Sequence, residues 1–396
     1  MDRYDIDDRS VYNFSGGDEG LSPGACGLLA AVGDFKLNVL VKSAACLQYR
    51  ARNGAGITIK GIYKETDCYV FHVMYRSHGK IKELENVLKK WGLQILDNHD
   101  MVPKKFYYEY DLPIIKKYYV TPPTVDEMIY REKIKEEPEY ITKQVMKFNS
   151  RFMDDARIFS SSKENGTFLT AFQLEDTVRL YDIMQYEDYY YDACLIHLRW
   201  PTSRGKGLWW GPQPISLCEI SGIHNGHLSS DKSNAGALEQ LNIPMQVGTD
   251  SEAIFLMANY LLTKDFTLEE IEWIICRKFP QELSVMSEDK RLKYLNMIHS
   301  PILGKMKMSG PATAIVLEED IMLGFTDRDH LRSFSIGYNE KVAFLGSEQR
   351  AILSAAYYMG EELDGLYDPL AGEVVGFSID NKNIKRLDRS WSKYGK

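Results

Sequence analysis

The rhythm of apolar and polar positions changes abruptly at residue 26. Residues 1–25 are polar and acidic and end in GGDEGLSPGA, a composition that favours turns and mobile chain, so 1–25 reads as a leader and 26–396 as the folded unit. CGLLAAV follows at 26–32, an apolar run with the length of a buried strand, although periodicity alone does not exclude a helix. FKLNVLVKSAACLQYR predicts a helix over 36–50, the alternating YVFHVMY a strand over 69–75, and IKELENVLKKWG an amphipathic helix over 81–92 closed by glycine. From 103 to 165 the chain is Tyr-rich and then strongly charged, with Pro122, Pro123, Pro138 and the helical stretch REKIKEEPEYITKQVMKF; this predicts an inserted, largely surface segment. Short apolar runs then return (TFLTAFQL, DACLIHLRW, ISLCEISGIHN), followed by helices over 252–300 and by ATAIVLEEDIMLGF, SFSIGY and KVAFLG.

Sheet pieces at both ends of the chain with helices between them predict an α+β layered sandwich. Strict βα alternation with a GxGxxG loop is absent, and so is any internal repeat. A length of 396 residues with 44% hydrophobic content is enough for a large core and argues against disorder. A net charge of −8 gives no general reason to expect a nucleic-acid or anionic-membrane partner. No run approaches the roughly 18 apolar residues of a spanning helix. The start, MDRYDIDDRS, lacks the regions of a secretory signal, so the expected location is the cytoplasm. The six cysteines, at 26, 46, 68, 194, 218 and 276, include no CxxC pair and no zinc-ligand spacing; no metal site is expected, and most read as small buried hydrophobes.

Four segments carry candidate chemistry. Cleavage between Ala25 and Cys26 would leave a cysteine whose own α-amine lies beside its thiol, and such an amine titrates at about 7.7–8.0 and can serve as the base. In HLRWPTSRG (197–205), Arg199 and Trp200 close an apolar strand, and an Arg there can clamp a carboxylate through two parallel hydrogen bonds. In GIHNGHLSS (222–230), Asn225-Gly226 is first a tight turn; its functional reading pairs the Asn amide with an unobstructed Gly N–H as an oxyanion hole. In VGTDSEAIFLMANYLL (247–262), Asp250 or Ser251 is expected to cap a helix, with Asp250 also available to an amine. Each segment alone has a plain structural reading: a buried cysteine, a surface ion pair, a turn and a cap.

Taken in order, these segments resemble class II glutamine amidotransferase domains, with CGLLAAV as the mature start, LQYRARNGAGI (47–57) as an LQHRG-type segment, then the Arg199, Asn225 and Asp250 segments. GPATAIVLEEDIMLGFTDRDHLRSFSIG with AFLGSEQRAIL, across 310–353, resembles the family's later arginine-rich strand pair and Ser-Glu turn. The match covers roughly 26–60 and 190–355 of the chain. Trp209-Trp210-Gly211, with no synthase, phosphoribosyltransferase or isomerase domain, is most similar to the separate glutaminase subunit of split glutamate synthases.

The resemblance implies a four-layered αββα sandwich of the N-terminal-nucleophile type and glutamine as the substrate. It implies Cys26 as nucleophile, Asn225 and Gly226 as oxyanion hole, Arg199 on the α-carboxylate and Asp250 on the α-amine. Trp200 and Thr202 would line the pocket, and Arg50 would order a loop over bound glutamine. It implies no cofactor in this chain, and a synthase partner carrying flavin and iron–sulfur clusters that receives the ammonia.

Two departures from the family pattern stand out: Pro212-Gln213-Pro214 where Ala-His-Pro is usual, and His227 where an acidic residue is common. Gln213 can hydrogen-bond but cannot titrate. The rival reading is a non-catalytic glutamine-sensing or scaffolding subunit with an uncut leader, since an amide at Cys26 supplies no base and no histidine falls in a matched catalytic position. Amide hydrolysis of another substrate, such as a bile salt or penicillin, fits a cysteine start but not the Arg199 and Asn225 segments.

Overall fold

The computed structural model describes residues 25–51, 54–107, 112–186, 190–200, 209, 211–380 and 383–395. Its centre is a pair of stacked antiparallel sheets. The front sheet has seven strands, in the order Gly365–Tyr367, Ser335–Tyr338, Val342–Gly346, Gly27–Lys36, Tyr190–Leu198, Ala55–Ile59 and Gly166–Thr170. The back sheet has six: Asn383–Arg386, Val374–Asp380, Ile321–Thr326, Ala312–Glu318, Ile220–Gly226 and Ile215–Leu217.

Alternation along each strand divides the core into layers. Leu28, Ala30 and Val32 of the Gly27–Lys36 strand, with Ala193, Leu195, Ile336 and Leu345, meet Ile223, Ile315, Leu317, Met322 and Phe377 of the back sheet. Leu29 and Ala31 point the other way, against Leu37, Leu40 and Ala44 of the Leu37–Ala45 helix and Ala351, Ile352 and Ala355 of the Gln349–Met359 helix. Both faces of CGLLAAV are therefore buried, which is why it reads as a continuous apolar run rather than an alternating one. The far side of the back sheet is covered by Asp231–Gln240, Asp250–Thr263 and Leu268–Ile275, whose Ala237, Leu238, Ala253, Leu256, Leu261 and Ile271 pack on Ala314, Val316 and Leu323. Helices, sheet, sheet, helices: this is the αββα sandwich that the resemblance implies.

The stretch 103–165 is not a surface insertion. Its strands Ile114–Thr121 and Ala156–Ser162 join Tyr69–Tyr75 and Gln94–Asp100 in a third antiparallel sheet. Its Glu137–Arg151 helix buries Tyr140, Ile141, Val145 and Phe148 in a core continuous with the helices behind the back sheet. Charged residues dominate the composition because they cover the solvent side of that helix, and their number masked the apolar spacing at 140, 141, 145 and 148. The single helix expected across 131–148 is two: Val125–Glu132 ends at Lys133 with φ 61°, and the next begins at Glu137. The helix expected over 36–50 is likewise shorter, because the central strand runs on to Lys36. Among the described residues no helix is long and apolar enough to cross a membrane.

Candidate active site

Antiparallel pairing places the candidates together. Gly27 pairs with Leu198, so Cys26 and Arg199 leave the same edge of the front sheet side by side. The Trp200 backbone N–H donates to Cys26 Sγ at 3.3 Å. The Cys26 backbone N–H donates to Asn225 Oδ1, on the facing back sheet, at 3.1 Å. The Asn225 Nδ2 group is buried with no partner among the described residues. Asn225 thus spends its acceptor on the atom that cleavage would convert to an α-amine, and keeps its donor for something else. Gly226 has φ 152°, and a Cβ there would lie 2.1 Å from the Pro311 carbonyl oxygen, so only glycine fits this close approach.

Burial pushes the Cys26 thiol up, and the Trp200 N–H and the cations of Arg199, Arg332 and Arg50 act against it. The three arginines differ. Arg50 Nε donates to the Cys26 carbonyl at 3.2 Å, and its guanidinium pairs with Glu348, which also accepts from Tyr49 and pairs with Arg350 at 2.7 Å. Arg50 therefore braces the backbone of Cys26. Arg199 runs in a slot made by two glycines: a Cβ on Gly211 would sit 2.4 Å from Arg199 Nη2, and one on Gly54 would sit 3.2 Å from its Cβ and Cδ. No carboxylate pairs with Arg199 among the described residues, and burial draws its pKa down. A partly buried guanidinium without a counter-ion suits the carboxylate of a ligand.

Arg332 belongs to the arginine-rich segment, where the sequence assigns it no role, yet its field reaches both Cys26 and His224, and its Nε is buried without a partner. Asp327 places it: that carboxylate accepts from the backbone N–H groups of Ala312, Asp329 and Leu331, each at 3.0 Å, and folds the loop back over the end of the back sheet. The sequence signal was available in TDRD, an Asp able to organise its own following turn.

Asp250 is not the helix cap. Thr249 is, accepting from the Glu252 N–H at 3.2 Å, while the Glu252 carboxylate gathers the N–H groups of Gln246, Val247 and Gly248. Asp250 stands at the first helical position, where Oδ2 accepts from the Leu228 N–H at 3.1 Å, and His227 Nδ1 approaches it to 3.7 Å. It retains acceptor capacity for an amine. Gln213 reaches behind the strand that carries Asn225 to the His224 N–H and the Ser251 hydroxyl. His224 and His197 are buried and held neutral by desolvation, drawn down to about 4 and about 3. Trp200 lies at the site through its contacts with Cys26, whereas Thr202, Trp210 and residues 1–24 lie outside the described residues.

Cys26 thus stands at the head of the central strand of one sheet of the αββα sandwich, hydrogen-bonded to Asn225 on the facing sheet. No family model matches this chain. It is 27% identical over 377 residues to an uncharacterized protein of Archaeoglobus fulgidus, across 89% of this chain and 91% of that one. Among solved structures it is similar to an allosteric regulatory enzyme of purine biosynthesis, with 13% identity, a TM-score of 0.45, and coverage of 93% of this chain and 50% of that chain. It is also similar to the glutamine phosphoribosylpyrophosphate amidotransferase of B. subtilis, with 13% identity, a TM-score of 0.42 and the same coverages. A glutamine aminotransferase class-II domain protein of Silicibacter pomeroyi is 11% identical, with a TM-score of 0.30, across 58% of this chain and 87% of that one. The chain spans about half the length of the first two structures.

Proposed function

We propose that this chain hydrolyses the side-chain amide of glutamine through a thioester on Cys26, and delivers the ammonia to a synthase partner as the glutaminase component of a split glutamate synthase. The observation that carries the reading is the division of labour in Asn225: Oδ1 accepts from Cys26 N while buried Nδ2 has no partner among the described residues. An unsatisfied buried donor costs about 1–3 kcal/mol, a cost offset once an oxyanion occupies the site.

Cleavage after Ala25 would free the α-amine at the atom already held by Asn225. That amine takes the proton from Sγ as the thiolate attacks glutamine Cδ, and Asn225 Nδ2 with the Gly226 N–H receives the tetrahedral oxyanion. The C–N bond breaks, the amine returns its proton to the leaving ammonia, and water attacks the thioester to release glutamate. Arg199 takes the α-carboxylate and Asp250 the α-amine. The partner that receives the ammonia would carry the flavin and iron–sulfur clusters of the synthase reaction on 2-oxoglutarate. A cytoplasmic setting accords with this role.

One observation favours the rival reading. In the uncut chain Cys26 N is an amide, burial pushes the thiol up, and no titratable base bonds to Sγ among the described residues. Such a chain would be a glutamine-sensing or scaffolding subunit. Intact mass and N-terminal sequencing of the purified protein, together with glutamate release from glutamine, separate the two. A chain beginning at Cys26 that releases glutamate is the expected outcome; one that begins at Met1 and stays inert with its partner present overturns it.

A further inference from the structure

The departure at Gln213 has a geometric consequence. The segment Gly211–Pro214 passes behind the site and reaches three of its components. Gly211 presses on the Arg199 guanidinium, and the Gln213 carbonyl oxygen lies where a Cβ on Gly56 would come within 2.0 Å. The buried Gln213 side chain spans the gap between the strand that carries Asn225 and the helix that begins with Asp250. Its Oε1 accepts from the His224 N–H at 2.6 Å, and its Nε2 donates to Ser251 Oγ at 2.9 Å. His224 Nδ1 lies 3.0 Å from the same hydroxyl.

These bonds fix the carboxamide and favour one proton arrangement at His224. A backbone N–H can only donate, so the Gln213 oxygen faces His224 and its NH2 faces Ser251. Ser251 accepts from Gln213; its second lone pair could also take an Nδ1–H, but Nδ1 is the one acceptor for the hydroxyl proton among the described residues, which assigns that proton to an unprotonated Nδ1. His224 is therefore the neutral Nε2–H tautomer. Desolvation holds it neutral; Asp250 on the adjoining helix opposes this, and Arg332 on the loop and His227 just beyond the end of its own strand reinforce it.

We propose that Gln213 is a positioning residue for the reaction at Cys26, bridging the oxyanion strand and the amine-binding helix through one carboxamide and locking the tautomer of His224. A histidine in its place could titrate; an amide keeps this bridge independent of pH. The inference rests on the glutaminase reading for its kinetic part and on geometry alone for its tautomer part.

The test uses the full chain and Gln213→Glu, which is nearly isosteric, with Gln213→Leu as the variant that removes both bonds. The carboxylate introduced by Gln213→Glu can only accept when ionised, so Ser251 turns its proton toward it and His224 must donate from Nδ1. The 15N shifts of His224 should read Nε2–H in the wild type and Nδ1–H in Gln213→Glu at neutral pH. Glutamate release should fall roughly 10- to 100-fold in kcat in both variants, as expected for misplacing a reacting group. It should recover in Gln213→Glu alone on acidification, where the introduced carboxyl, once protonated, donates to Ser251 as the amide did.

A wild-type Nδ1–H tautomer overturns the proposal, and so do unaltered kcat and pH profile in Gln213→Glu. A general loss of structure would lower both variants at every pH, and failure to recover on acidification would likewise overturn it. If the wild type releases no glutamate, the glutaminase reading fails by itself. The tautomer switch then still decides the bridge, supporting it if present and overturning it if absent.

Discussion

Two buried histidine environments use the same materials to opposite ends. In the third sheet, His72 donates from Nδ1 to the Thr167 carbonyl at 2.6 Å and accepts at Nε2 from the Tyr63 hydroxyl at 2.7 Å, with its ring against Phe159 and Phe168. Every polar atom of that ring is spent. At the open end of the sandwich, His224 Nε2, Asn225 Nδ2, Thr313 Oγ1 and Arg332 Nε are buried without partners among the described residues. Asn225 pairs in register with Thr313, and alternation along their strands turns both toward the inter-sheet layer, the side on which Cys26 approaches. A saturated network holds a fold together; a concentration of leftover donors marks where a ligand or ordered water completes the bonding.

If that contrast is sound, changes at the open end alter chemistry and changes at His72 alter stability. The largest effect is expected from Asn225→Ala, which removes the spare donor: glutamate release should drop about 100- to 1000-fold in kcat, and turnover like the wild type would sink the site. Arg199→Met should come next, with kcat/KM for glutamine down about 10- to 100-fold, chiefly through KM, since a charge-assisted pair to the ligand's carboxylate is lost.

His72 tests the other region. Burial lowers its pKa to about 3, below the ordinary 6.5, so protonation favours the unfolded chain and stability declines as pH falls below about 6.5. Between pH 7 and pH 5 this one group should cost about 2 kcal/mol. Urea unfolding at the two pH values should show it, and His72→Gln should remove that part of the acid limb while leaving glutamate release intact. The smallest effect belongs to Arg332→Gln. One cation fewer near the buried thiol moves the alkylation profile of Cys26 to higher pH, and iodoacetamide trapping across pH should register the shift.

Periodicity served well where elements are uniform in environment. Gly27–Lys36, Tyr69–Tyr75, Ile81–Lys90 and Tyr190–Leu198 all lie where apolar spacing puts them. It failed over 103–165, because a helix buried on one side and lysine-rich on the other has the average composition of a surface segment. TFLTAFQL likewise divides between a strand ending at Thr170 and a helix opening at Leu174, since a short apolar run does not distinguish the two. At the site, the residue types and their order pointed to Cys26, Arg199, Asn225 and Asp250. Arg332 was signalled only by the turn-forming Asp327 nearby, and Glu252 by no pattern, since it gathers the N–H groups of an irregular loop; the placement of Gln213 was not legible, because its partners lie on a strand and a helix further along the chain.

Sequence by itself determined the groups available and the local backbone: a glycine where only glycine fits beside Pro311, a double-faced apolar strand after Cys26, a threonine to start the Asp250 helix. Tertiary structure decided which of those groups are spent and which are left over. Arg50 is neutralised by Glu348, whereas Arg199 pairs with no carboxylate among the described residues; Asn225 gives its oxygen to Cys26; Gln213 faces its oxygen to one element and its NH2 to another. The reason is physical. Chain periodicity records burial averaged over an element, whereas hydrogen-bond satisfaction and charge pairing belong to single atoms brought together from opposite ends of the chain.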